Sequence, residues 1–222
     1  VERGTHPLRV RAPQRRGDTI FSGLADETPG MVKSHGGDDP LAEVRDRMPV
    51  LGSLRSEYRD ALPFEGMTVA VSSHLEPKTG VFIETLRDGG AEVLCTGNTA
   101  QSIHGAVVNH LDGESDIRVF GAAGLSDDEL DRAHVELLAE EPELLLTDGA
   151  ELLAKCHARS DLSTSNLVGC AEQTTSGVSR ARAMADEDLL DAPVFAVNHT
   201  PMKHWFDNVH GTGESALSNI MI

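Results

Sequence analysis

At 222 residues the chain is long enough for one large domain or two small ones built round a substantial core. Its formal charge of −17, from 36 acidic against 19 basic residues, excludes a general binder of phosphate backbones, which needs a basic face. The 39% hydrophobic content, poor in aromatics, suits an α/β protein rich in Ala, Val and Leu, and no apolar run nears the ~20 residues that cross a bilayer.

Residues 1–39 are Arg-, Pro- and Gly-rich without a sustained period and read as a disordered extension or fragment boundary rather than as a basic arm. From Asp39 the pattern changes. Leu41, Val44, Met48 and Leu51 stand three and four apart, an amphipathic helix broken or bent near Pro49. An alternation follows. "MTVAVSS" (67–73) is a strand, "TGVFIETLRDGG" (79–90) a helix closed by glycines, and "AEVLCTG" (91–97) a second strand. A helix runs through "SIHGAVVNHL", and "DIRVFGA" (116–122) is a third strand. "SDDELDRAHVELLAEE" opens on a capping box, Ser126 with Glu129, and is a solvated helix with Leu130, Val135 and Leu138 turned inward. "ELLLTDG" (143–149) is a fourth strand, and "NLVGC" and "APVFAVN" read as the fifth and sixth.

Strands alternating with helices of this length predict an α/β fold: a mainly parallel, doubly wound sheet flanked by helices. Ligands of such sheets lie beyond the carboxyl ends of the strands. The segments just past those ends are "SSHLEPK", "TGNTAQS", "TDGAE", "CAEQTTSG" and "VNHTPMKHWFDN", so His74, Asp148, Glu172, Gln173, Lys203 and Asp207 are expected to share one cleft.

Three cysteines, odd in number and without C-x-x-C spacing, fit buried thiols in a reducing compartment. No charged segment followed by an apolar one opens the chain, so cytoplasm is the expected setting. Acid excess with only four lysines (Lys33, Lys78, Lys155 and Lys203) suits a salt-rich cytoplasm, where screening removes self-repulsion; an ordinary acidic surface is the alternative.

Five motifs occur in one order: "RMPVL" (47–51), "SSHLEPKTGVFIETLRDGGAEV" (72–93), "LLLTDGAELL" (144–153), "VGCAEQTTSGV" (168–178) and "VNHTPMKHWFDNVHGTGES" (197–215). Together they resemble the amino-terminal, substrate-binding half of S-adenosylhomocysteine hydrolase (adenosylhomocysteinase), most closely an archaeal type. The resemblance implies reversible, NAD-dependent cleavage of S-adenosylhomocysteine to adenosine and homocysteine. It implies catalytic roles for His74, as acid/base at the departing sulfur and entering water, and for Asp148 near C4′. Lys203 and Asp207 would relay the proton of the ribose 3′-hydroxyl, a task their spacing of four on a helix suits. Glu172 and Gln173 would bind the ribose, and Glu76 and Lys78 lie where substrate is held. Thr174, Thr175, Ser176 and Asn208 would meet the nicotinamide end of NAD. Members of that family form homotetramers, and the sequence leaves the assembly state of this chain open.

Several positions depart from the family pattern. Gln173 stands for a second glutamate, trading an accepting carboxylate for an amide with one acceptor and a donor. "TAQSIHG" (99–105) replaces a run expected in the substrate cleft, Thr212 stands where cysteine is common, and Glu76 with Lys78 follows His74 in an archaeal-type arrangement that leaves the adenine contacts open. "GTGES" lacks the third glycine of a dinucleotide fingerprint. The resulting organisation is residues 1–39 as extension, 40–210 as substrate-binding domain and 211–222 as the start of a hinge. The NAD-binding domain is expected to lie outside this chain, so the chain alone should bind NAD weakly and not turn over. The competing readings are a non-catalytic nucleoside-binding homologue and a split-gene subunit. No metal is expected: His199, His204 and His210, spaced H-x4-H-x5-H, do not match a zinc-protease helix. Trp205 and Phe206 read as core or hinge packing.

Overall fold

The computed structural model describes residues 39–221. The extension read over residues 1–39 therefore falls outside the described residues, save Asp39. Its carboxylate accepts from the Leu41 backbone N–H (2.9 Å) and pairs with Arg45 (2.7 Å), so it belongs with the helices that follow. The amphipathic segment forms two helices, α1 (Ala42–Asp46) and α2 (Pro49–Ala61). The break comes at Pro49, which occupies the first turn of α2, where its missing N–H costs nothing. Leu41 is fully buried, and Val44, Met48 and Leu51 pack against the core as the spacing predicted.

Six strands follow: β1 (Thr68–Ser73), β2 (Glu92–Gly97), β3 (Ile117–Val119), β4 (Leu144–Thr147), β5 (Gly169–Glu172) and β6 (Val194–Ala196). All pair in parallel, in the order β3-β2-β1-β4-β5-β6. The connecting helices are α3 (Pro77–Asp88), α4 (Gly105–Leu111), α5 (Asp127–Leu138), α6 (Glu151–Ala158) and α7 (Thr175–Asp186). Alternate residues of β1 feed two cores. Val69 and Val71 pack with Val81 and Ile83 of α3 and with Val107 and Leu111 of α4. Ala70 faces the other side, among Leu137 of α5, Leu152 and Leu153 of α6 and Ala181 of α7. A strand buried on both faces is what its unbroken apolar run required.

Three expectations are corrected. The segment after β2 is not helical from Ser102: a short 3₁₀ turn, Ala100–Ser102, is followed by a parallel bridge between Ile103 and Leu75, and α4 starts at Gly105. The fifth strand lies three residues later than "NLVGC", because register with Leu144–Thr147 carries pairing on to Glu172. On α5 the Ser126–Glu129 capping box forms, but the inward face is Leu130, Ala133, His134, Leu137 and Leu138, with Val135 half-buried.

After β6 and a 3₁₀ turn (Val197–His199), residues Lys203–Gly211 wind as a π-helix, and α8 (Thr212–Met221) continues from it. The Thr212 N–H accordingly reaches back five residues, to the Asp207 carbonyl. Trp205 (61% exposed) and Phe206 are open to solvent, which corrects their reading as core packing within the described residues. No described helix is long and apolar enough to cross a membrane.

Candidate active site

The strand order reverses between β1 and β4, and there the sheet opens into a crevice beyond the carboxyl ends of its strands. A cavity of about 700 Å³ occupies it. Its lining includes His74 after β1, Asp148 after β4, Gln173 and Thr174 after β5, and Lys203 and Asp207 on the π-helix, with Glu76 and Lys78 from the first turn of α3. Five of the six residues shortlisted from strand ends thus meet in one cavity. Two of the chain's four lysines line it.

Each wall is fixed by backbone. The Asp148 N–H donates to the Ser72 carbonyl (3.0 Å), and the Gln173 N–H to the Thr147 carbonyl (3.1 Å), so neighbouring strands hold one another's tips. His74 Nε2 lies 3.5 Å from Asp148 Oδ2; the imidazole is half-exposed, the carboxylate largely covered. That geometry lets the carboxylate orient the ring while the ring exchanges protons with a ligand. Gln173 donates from Nε2 to Ser73 Oγ (3.3 Å), so its amide oxygen remains the group that can accept from a ligand. Lys78 Nζ lies 3.2 Å from Glu76 Oε1, placing an ammonium and a carboxylate side by side at the rim.

The π-winding explains the Lys203 arrangement. In an i→i+5 helix, residues four and five apart straddle one face. Lys203 Nζ therefore meets both Asp207 Oδ2 (2.5 Å) and Asn208 Oδ1 (2.8 Å). The chain of bonds continues: Asn208 Nδ2 donates to Asn198 Oδ1 (2.8 Å), and Asn198 Nδ2 to Thr175 Oγ1 (3.1 Å). Asn198, buried in the turn after β6, is the residue that sequence reasoning missed. Its only signal was its place in the last strand-end segment.

Glu172, read as a ribose contact, does not line the cavity. It is fully buried, and both carboxylate oxygens are occupied by donors from the protein itself. Thr174 lines the cavity, whereas Thr175 and Ser176 are exposed outside its lining. None of residues 101–105, the departing run, lines it either; that run is bound to the Leu75 backbone beside His74. No group of His, Cys, Asp and Glu among the described residues could hold a metal ion.

A dinucleotide's pyrophosphate does not fit the β1–α3 turn. The turn reads Ser-His-Leu-Glu-Pro: Glu76 puts a carboxylate at the start of α3, and Pro77 removes an amide donor there. The crevice itself presents both signs of charge, with the carboxylates of Glu76, Asp148 and Asp207 set against the ammonium groups of Lys78 and Lys203.

Fold and site together define a doubly wound α/β protein whose switch-point crevice has a largely apolar lining with a few charged and polar side chains converging on it. The family model for S-adenosyl-L-homocysteine hydrolase matches residues 31–168, and the chain belongs to that family. It is 42% identical over 175 residues to the adenosylhomocysteinase of Halobacterium salinarum, covering 79% of this chain and 41% of the relative. It is 38% identical over 189 residues to the S-inosyl-L-homocysteine hydrolase of Methanopyrus kandleri, covering 83% and 43%. With the adenosylhomocysteinase of Archaeoglobus fulgidus it shares 38% over 174 residues, covering 78% and 43%. The chain thus spans about two fifths of the length of the curated relatives it matches.

Proposed function

We propose that residues 40–210 form the nucleoside-binding domain of an enzyme that reversibly hydrolyses the thioether of S-adenosylhomocysteine to adenosine and homocysteine. The observation that carries this reading is the convergence of His74, Asp148, Gln173, Lys203 and Asp207 on one crevice. When bound, NAD supplies reversible oxidation at the ribose 3′ carbon, which makes the C4′ hydrogen acidic. The residues of this chain do the rest. Gln173 accepts from a ribose hydroxyl. Lys203, held by Asp207 and Asn208, exchanges the 3′-hydroxyl proton. Asp148 takes and returns the C4′ proton, and His74 protonates the leaving sulfur and deprotonates the entering water. Thr174 and Asn208 would hold the nicotinamide end of NAD, and the β1–α3 turn, with Glu76 and Pro77, would not hold its pyrophosphate.

Residues 211–222 are read as a connection leading away from the domain, in keeping with α8, which buries no residue of its own. The acid excess supports a salt-rich cytoplasm as the setting. Titration calorimetry of the chain tests the function: adenosine binds, Asp148→Asn and Lys203→Met weaken it, and NAD alone binds weakly. Failure of adenosine and inosine to bind at millimolar concentration would refute the reading.

A second reading concerns the base, and the Glu76–Lys78 pair favours it. Hypoxanthine offers an acceptor at position 6 and a donor at N1; adenine offers the reverse. Lys78 only donates and Glu76 only accepts, so Lys78 facing position 6 selects S-inosylhomocysteine. Lys78→Met would then cost inosine affinity more than adenosine affinity; an equal loss would exclude this reading.

A further inference from the structure

Glu172 carries a feature the reaction leaves unused: a fully buried carboxylate that receives five hydrogen bonds from two segments, the ends of β4 and β5 with the turns that follow them. Oε2 accepts from Thr147 Oγ1 (2.6 Å) and from the Ala150 N–H (2.8 Å). Oε1 accepts from the Gly149 N–H (3.1 Å), the Thr174 N–H (2.7 Å) and Thr174 Oγ1 (2.6 Å). Thr147, Gly149 and Ala150 flank Asp148 on both sides, so the carboxylate grips the turn that carries Asp148 without touching Asp148 itself. Thr174 follows Gln173, so the same carboxylate fixes the other wall of the crevice.

The turn needs holding. Gly149 (φ +95°) and Ala150 (φ +58°) both adopt left-handed backbone, a conformation an alanine reaches only when its surroundings impose it. The carboxylate also lies where α6 and α7 begin, and the backbone amides of their N-cap residues, Ala150 and Thr174, both donate to it. Gly177, in the first turn of α7, completes the fit: a Cβ there would stand 2.2 Å from Glu172 Cδ. This gives a physical reason for the E-x-T-T-x-G spacing of residues 172–177.

We propose that Glu172 is a positioning residue: it sets Asp148 opposite His74, and Gln173 within the crevice, by clamping the turns after β4 and β5. The proposal rests on the nucleoside reading above. Its test compares wild type with Glu172→Gln, which keeps the shape but turns two donor hydrogens toward donors. Adenosine affinity is measured by calorimetry and amide hydrogen exchange by NMR. The expected result is adenosine binding about tenfold weaker or worse. Protection at Gly149 and Ala150 should fall by a similar factor while that of Leu145 and Val71 in the sheet holds. A purely structural role would instead lower protection throughout the sheet. Unchanged adenosine affinity, or uniform loss of protection, overturns the proposal. Should Glu172→Gln not fold, Thr147→Val removes one of the five bonds and Thr147→Ser keeps it. The serine variant should match wild type and the valine variant bind severalfold more weakly; equal behaviour overturns the proposal. If wild type binds neither adenosine nor inosine, the nucleoside reading falls by itself. Selective exchange at Gly149 and Ala150 then decides whether Glu172 holds the turn.

Discussion

Glu84, a buried residue of α3, is the hub of the ionic network that fastens α1 and α2 to the body. Its side chain is 4% exposed, and three cationic or basic groups close on it: Arg45 Nη2 at 2.9 Å, Arg55 Nη1 at 2.7 Å and His110 Nε2 at 3.0 Å. Glu84→Gln removes the charge while keeping the volume. Deleting one partner of a buried ion pair costs about 3–5 kcal/mol. Arg45 retains Asp39, and Arg55 retains Asp88, so the lower end applies, about 3 kcal/mol. For a domain of this size that lowers Tm by about 6–12 °C. Urea titration and calorimetry at low and molar salt would measure it, and the loss should persist at both, because a covered pair is poorly screened. A loss under about 1 kcal/mol, the range of exposed pairs, or one that vanishes in salt would refute the argument. The pH dependence gives a second check. Burial pushes the Glu84 carboxyl up, but hydrogen bonds from His110 and Arg45 and the charges of Arg55 and Arg45 outweigh it and leave it below its ordinary value of 4.5. Its contribution is therefore present above pH 4.5 and lost as pH falls through the folded value, where wild type and variant should converge.

Cys95, Cys156 and Cys170 are buried, and burial pushes their thiols to about 12, about 12 and about 11. A thiol-specific reagent at pH 8 should leave all three unlabelled in the native protein and label all three in denaturant; one fast native thiol would contradict this. His134 Nε2–H donates to the Gly97 carbonyl (2.8 Å), while Nδ1 is buried without a partner. Burial lowers its proton affinity, and the bond to Gly97 offsets this only in part. Stability that is present above pH 6.5 should thus decline on acidification below it, a slope that His134→Leu should abolish whatever its absolute stability. An identical slope in that variant would exclude His134 as its source.

Periodicity gave away the alternating elements, and the rule that ligands gather beyond strand ends brought five of six shortlisted residues into one cavity. Glu172 escaped it for a physical reason. A carboxylate at a strand end reads as a group facing the cleft, and only when the turns after β4 and β5 are in place do five donors appear to receive it. The fifth strand starts three residues after the start of "NLVGC", because its pairing with β4 runs on to Glu172, a partner that apolar pattern alone does not show. Lys203 and Asp207 were paired correctly by α-helical spacing, but Asn208 joins them through a π-winding that spacing alone does not foretell. Asn198 belongs to the same network and became visible only through its hydrogen bonds.

The neighbour of β1 on the crevice side is β4, whose residues lie 75 positions further along the chain. The floor of the crevice cannot exist until that distant strand has docked, with α3, β2, α4, β3 and α5 all lying between the two in sequence. Parallel pairings this remote are slow to form. Any molecule that occupies the crevice consequently acts as a clasp on the finished fold: it binds nothing that is half-assembled, and its presence should raise the unfolding temperature in proportion to the logarithm of its concentration.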